Sequence, residues 1–212
     1  MDSAGTTGEV AAVLLAAGGG RRLGGRPKAL LPYRGRPLVE HAVRALRAGG
    51  CDHVHVVLGA AAAEVRERAD LRGCALVDNP RWADGMGTSL RAGLASLDPR
   101  TTAAAVIGLV DQPGVGPAAV ARVLAAAAGD PRAALVAAAY DGVRGHPVLL
   151  GASHWAGVAA GATDDRGARV YLREHARRTV LVECGDVGDP ADIDTPADLG
   201  LLDGTGRPSA EC

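Results

Sequence analysis

Apolar positions along the chain follow two rhythms that take turns. Short, mostly apolar runs, bounded by turn residues, occupy residues 10–15, 54–58, 75–77, 103–110, 135–139 and 179–182. Runs this short predict strands buried on both faces. Between them the apolar residues recur at helical spacing, as at 39, 42, 43 and 46 within 38–46. The same rhythm predicts helices over 60–69, 88–97, 117–127, 154–160 and 168–176, with Pro117 in a first turn. "DTPADL" opens a last helix, with Thr195 as cap, Pro196 at the first position and Asp198 in the first turn.

Continuously apolar strands alternating with helices imply the α/β class, with a mostly parallel sheet covered on both faces. No internal repeat is visible. Residues 9–203 read as one domain between loose tails at 1–8 and 204–212. Ligands of such sheets sit beyond the carboxyl ends of the strands. Polar clusters at 16–28, 111–113 and 192–195 each follow a strand, and one shared site would explain all three.

The first cluster is unusual in composition. "VLLAAGGGRRLGGRPKALLPYRGRPL", residues 13–38, passes from an apolar strand into glycine and positive charge. Glycine lets backbone N–H groups approach an anion closely, and Arg22 and Lys28 add charge, one as a fixed fork and one as a mobile point. Two familiar phosphate loops fail by count. The dinucleotide fingerprint started at Gly18 needs glycine where Leu23 stands, and its acidic partner would be Glu40, inside a helix. The Walker loop needs Gly-Lys-Ser/Thr, but Gly24 and Gly25 lead to Arg26 and Pro27.

What remains, together with "DNPRWADGMGTSLRAGL", "LVDQPGV", "GHPVLLG", "DRGAR" and "DIDTPADL" in that order, resembles the nucleotidyltransferases related to the molybdenum-cofactor guanylyl- and cytidylyltransferases, most of all the cytidylyltransferase branch. The resemblance spans residues 10–202 and implies a single-domain Rossmann-like three-layer fold. It implies transfer of an NMP group from an NTP to a phosphate-bearing acceptor of the molybdopterin type, with release of pyrophosphate. Carried over residue by residue, the loop Leu15, Ala16, Ala17, Gly18, Gly19, Gly20 would hold the nucleotide. Arg22 and Lys28 would neutralise its phosphates, and Asp111 would carry Mg²⁺ with Asp194, or Asp192 in its place. Val110 departs from the more usual alanine but stays apolar. The residue types suit the chemistry. Attack at an α-phosphate builds charge that cations stabilise, and the acceptor phosphate is already a nucleophile.

Asn79, Gly85, Gly87 and Ser89 are candidates for the base and ribose side, though Asn79-Pro80 and Gly85 also suit a plain turn. His146, Arg166 and Arg169 are candidates for acceptor binding, against a backbone-bonded loop histidine and surface pairing with Asp164 or Asp165. Trp82 and Trp155 suit core or rim packing better than ring stacking. His41, His53 and His55 lack metal-ligand spacing. A net charge of −1 leaves no broad footprint for nucleic acid. Cys51, Cys74, Cys184 and Cys212 form neither a zinc knuckle nor a CxxC, as expected of reduced thiols. The acidic start and the lack of an apolar stretch of about 20 residues argue for a soluble cytoplasmic chain without a membrane partner. A molybdoenzyme or its chaperone is a further expected partner. Rival readings are a GTP-using or sugar-phosphate nucleotidyltransferase, an NAD(P)H-dependent oxidoreductase of the nicotine blue reductase type, and a non-catalytic nucleotide sensor. With 48% hydrophobic residues, 2% aromatic and no Phe, the core must be Ala, Val and Leu.

Overall fold

A computed structural model describes residues 8–203, so of the expected tails only Gly8 falls among the described residues. The chain opens with β1 (Glu9–Ala16), then a two-residue-stranded hairpin, β2 (Pro32–Tyr33) and β3 (Arg36–Pro37), which leads into α1 (Leu38–Ala48). Next come β4 (Val54–Leu58), α2 (Ala62–Arg68), β5 (Cys74–Asp78), α3 (Met86–Ala95), β6 (Thr102–Leu109) and α4 (Pro117–Ala126). The remainder is β7 (Leu135–Tyr140), β8 (Val143–Gly151), α5 (Trp155–Gly161), α6 (Arg169–Glu174) and β9 (Val180–Glu183). Seven strands form one sheet in the order β5-β4-β1-β6-β8-β7-β9. The order turns back at β1, between β4 and β6, the kind of switch point where ligands bind in α/β sheets.

Strand β1 shows why the sheet needs cover on both sides. Its alternate residues Ala12 and Leu14 join Val43 and Leu46 of α1 and Val123 of α4. Ala11, Val13 and Leu15 join Leu90 and Leu94 of α3, Trp155 of α5 and Leu172 of α6. The cores are built from small aliphatic side chains, so helices approach closely. A Cβ on Gly93 of α3 would lie 2.3 Å from Val13 Cγ1.

Two expectations are corrected. The apolar run at 148–151 belongs to a strand that no sequence pattern had supplied, β8, which is antiparallel to both β6 and β7. Gly145 and Pro147 hid it, because both weaken a strand reading. The available signal was Asp141-Gly142, whose residues take φ 51° and 74°, a two-residue hairpin turn between β7 and β8. The last helix is 3₁₀ (Pro196–Asp203) rather than α. Its N-terminal hub is Asp198, whose Oδ2 accepts from the N–H groups of Asp194 and Thr195 at 3.0 and 2.7 Å and from the Thr195 hydroxyl at 2.8 Å.

Candidate active site

The glycine loop begins where β1 ends. Gly20 is left-handed at φ 59°, and a Cβ there would lie 1.9 Å from the Arg26 carbonyl oxygen, so no larger residue fits. The Gly20 carbonyl accepts from Leu23 N–H at 2.8 Å and Gly25 N–H at 3.0 Å, closing the loop on itself. The chain then forms a single 3₁₀ turn, Lys28–Leu30, which fixes the backbone from which Lys28 projects.

A small satellite core explains how segments remote in sequence converge. Leu23 of the loop, Leu31, Tyr33 and Leu38 pack with Ile193, which is fully buried. Burying Ile193 is worth about 1.5–3 kcal/mol. It anchors the 190–194 segment, and its neighbours Asp192 and Asp194 stand at the site's edge. Backbone bonds reinforce the placement: Ile193 N–H donates to the Asp111 carbonyl at 2.9 Å, and Asp189 N–H to the Gly114 carbonyl at 3.1 Å. Asp194 therefore reaches the site on irregular chain well past β9, not at the end of a strand as expected.

Lys28 is the meeting point. Its ammonium donates to Asp111 Oδ2 at 2.7 Å and to Asp194 Oδ1 at 2.5 Å. Two oxygens bonded to one nitrogen lie no further apart than those bonds laid end to end, inside the span of about 8 Å beyond which two carboxylates cannot share one Mg²⁺. Burial pulls the Lys28 pKa down, but the two carboxylates, Asp111 foremost, outweigh it and leave it above the ordinary 10.5. Arg22 lies 3.5 Å from Asp194 Oδ2 and is largely exposed, so this pair adds little stability. The Asp194 carboxylate serves cations, and capping is left to Asp198.

Asp111 and Asp194 suit a hard divalent ion that takes few protein carboxylates and keeps water and phosphate as its other ligands. Among the described residues no group of three or more His, Cys, Asp or Glu is arranged to hold a metal. Asp192 stands apart from the pair. It accepts from Gln112 Nε2 at 2.9 Å, and burial, then the charge of Asp111, holds its pKa above the usual carboxylate value.

Two adjoining cavities open at this edge of the sheet. One, of about 350 Å³, is lined by Ala17, Gly18, Gly19, Lys28, Asp111 and Asp194, among others. Leu15, Gly20, Arg22, Gly85 and Ser89 also border it, as do Arg21 and Trp82, neither of which had been assigned a nucleotide role. The half-buried Trp82 ring covers Gly19, where a Cβ would lie 3.1 Å from it. Ala16, Asn79 and Gly87 are placed behind this wall. Asn79 is buried, and its amide donates to Thr88 Oγ1 at 2.8 Å and Ser89 Oγ at 3.0 Å while its oxygen accepts from Arg81 N–H at 3.0 Å. It braces the entry to α3. Gly87 packs against the Ala162 carbonyl, and Ala16 lies within the core.

The second cavity, of about 370 Å³, is lined by Arg144, His146, Arg166 and Arg169 over an apolar floor that includes Ile107 and Val148. It exists because β8 pairs with β6 only as far as Val148 opposite Ile107. Beyond that point β8 bulges between Val148, opposite Ala137, and Arg144, opposite Ala139. The bulge turns Gly145–Pro147 out of the ladder, as bulges do, and Tyr140 Oη donates to the His146 carbonyl at 2.8 Å. Burial, then the charges of Arg144 and Arg169, push the His146 pKa down to about 4. The imidazole is neutral at pH 7. Arg144 escaped the sequence reading because its strand did. The two cavities share Leu15, Met86, Leu109, Asp165 and Asp192 as common wall.

The other singled-out residues have structural partners. Trp155 is buried and its Nε1 donates to the Leu150 carbonyl at 2.8 Å. His41 Nε2 is 3.1 Å from the Pro113 carbonyl, His55 Nδ1 is 2.8 Å from Ser96 Oγ, and His53 faces Glu9. Among the described residues no helix is long and apolar enough to cross a membrane.

Known proteins share this architecture. Nicotine blue oxidoreductase from Paenarthrobacter nicotinovorans is 42% identical over 193 residues, covering 88% of this chain and 92% of that relative. A nucleotidyl transferase from Methanothermobacter thermautotrophicus superimposes with a TM-score of 0.76 at 25% identity, over 92% of this chain and 97% of that one. Rv0371C from Mycobacterium tuberculosis H37Rv, solved in complex with manganese, does so with a TM-score of 0.73 at 30% identity, over 93% and 100%. Residues 12–179 match the MobA-like NTP transferase domain. With that match across most of its length, a Rossmann-like three-layer fold and a relative of this identity, the chain belongs to the MobA-like NTP transferase family.

Proposed function

We propose that this protein is a Mg²⁺-dependent nucleotidyltransferase that transfers CMP from CTP to a phosphate-bearing acceptor of the molybdopterin type, releasing pyrophosphate in the cytoplasm during molybdenum cofactor biosynthesis. The single observation carrying this reading is the Lys28 ammonium held between Asp111 and Asp194 beside the glycine loop. An ammonium is a mobile cation that can exchange carboxylates for phosphates. A divalent ion at Asp111 and Asp194 would supply further charge stabilisation at the transferring phosphoryl group. The glycine loop presents backbone N–H groups to the phosphates, and Arg22 adds exposed positive charge at the mouth.

In the reaction an acceptor phosphate oxygen bonds to the α-phosphorus while the bond from that phosphorus to the α–β bridging oxygen breaks. The electron pair leaves with pyrophosphate. Lys28 and Arg22 are placed to stabilise charge on the non-bridging and leaving oxygens. The acceptor enters through the second cavity, which meets the first at Leu109 and Asp192. A molybdoenzyme or its chaperone would receive the product.

One observation favours a second reading, an NAD(P)H-dependent oxidoreductase: the identity to a relative bearing that kind of name. The failed dinucleotide fingerprint and the paired carboxylates around Lys28 weigh against it. GTP use or a sugar-phosphate acceptor would leave the chemistry unchanged. Pyrophosphate release measured with each of four NTPs, Mg²⁺ and molybdopterin separates these variants. The expected result is release with CTP that needs both metal and molybdopterin. Release with none of the four would sink the reading.

A further inference from the structure

The acceptor cavity holds two cations, Arg144 and Arg169, in the wrong place for the reaction. Under the donor reading above, on which this inference rests, the attacking phosphate must meet the nucleotide at the wall common to both cavities, formed by Leu15, Leu109 and Asp192 among others. Arg144 and Arg169 border the acceptor cavity alone. The two cations come from separate elements, β8 and the start of α6.

Arg144 is half-buried and has neither a hydrogen-bond nor an ion-pair partner among the described residues. Burial, then the like charges of Arg169 and Arg173, lower its pKa. The acids in the cavity wall, Asp165 and Asp192, accept from the Met86 N–H at 3.3 Å and from Gln112, and neither is bonded to Arg144 or Arg169. A half-buried guanidinium crowded by other guanidinium groups is costly unless an anion joins it. The neutral His146 ring stands beside them in the same wall, able to donate or accept one hydrogen bond.

We propose that Arg144 and Arg169 form a seat for a second oxyanion, a phosphate or carboxylate, distinct from the reacting phosphate. The natural acceptor then carries, beside its reacting phosphate, a second anionic group at its far end near Ile107 and Val148, a narrower requirement than molybdopterin with its single phosphate meets. Arg144 and Arg169 are specificity determinants, and the reacting phosphate is left to Lys28 and the paired carboxylates. This narrows Arg169, a candidate for acceptor binding in the sequence, to the far end of the acceptor.

Inorganic phosphate is the probe, titrated calorimetrically into the full chain, first free and then saturated with Mg²⁺ and a non-hydrolysable CTP analogue. The expected result is a phosphate site that persists when the analogue is bound. Its affinity should fall at least tenfold in Arg144→Ala and in Arg169→Ala, and stay unchanged in Lys28→Ala. Arg169 is exposed, so its variant keeps the fold even where Arg144→Ala disturbs β8. Displacement of phosphate one-for-one by the analogue, dependence on Lys28 instead of Arg169, or no phosphate binding at all would each overturn the proposal. Analogue binding is read separately. Loss of analogue binding alone, with Arg169-dependent phosphate binding intact, defeats the donor reading and leaves the anion seat standing.

Discussion

At the scale of residues, the site turns on one ammonium. Lys28 serves as counter-ion to Asp111 and Asp194 in the ligand-free chain, and in the proposed reaction it serves the nucleotide phosphates. These roles make opposite demands in a Lys28→Met variant. Activity loses a preorganised charge, which by analogy with removing one such donor costs about 10²–10³ in kcat/KM. The fold loses little, because the two carboxylates are partly exposed, but they then face each other without a cation. A divalent ion should therefore raise the melting temperature of the variant more than that of the parent. Melting curves with and without Mg²⁺ check this; an equal or smaller gain in the variant would mean the two carboxylates do not share an ion. Asp111 and the first glycines stood out in the sequence because they follow strands closely, and Lys28 because it closes the same glycine-rich stretch. Asn79, a candidate for the base and ribose side or for a plain turn, has its amide committed to Thr88, Ser89 and the Arg81 N–H.

At the scale of elements, the second cavity depends on β8, the one main-sheet strand that periodicity missed. Its residues 145–147 bulge away from the ladder, so no alternation of apolar and polar residues runs through it. Its partner strands were legible because they are buried on both faces and read as plain apolar runs. The bulge also sets the partly buried His146 beside Arg144 and Arg169, where burial and their charges disfavour its protonated form. With a folded pKa of about 4 against an ordinary 6.5, the unfolded chain binds a proton more readily in that interval. Stability from the neutral imidazole is thus present above pH 6.5 and is lost as pH falls toward 4. Urea midpoints between those two pH values should fall more steeply for the parent than for His146→Gln, which cannot take up that proton. Parallel slopes in the two proteins would remove His146 from the buried side of the cavity.

At the scale of the whole molecule, the layers were legible and the convergence of remote segments was not. Alternating runs of two rhythms require a covered, mostly parallel sheet, and the structure has one. That Asp194 meets Lys28 depends instead on Ile193 entering a satellite core with Leu23 and Leu31, a tertiary choice with no local signature. The molecule that results combines an NTP transferase domain with 42% identity to a protein named as an oxidoreductase, so the decisive question is which nucleotide it holds. Equilibrium binding of CTP with Mg²⁺ and of NADPH should be measured side by side on the parent, Asp111→Asn and Asp194→Asn. The parent should bind CTP only when Mg²⁺ is present, both variants should stay folded and lose the metal-dependent part, and NADPH should not compete. Tight NADPH binding that is indifferent to Mg²⁺ and to both aspartates would contradict the nucleotidyltransferase reading.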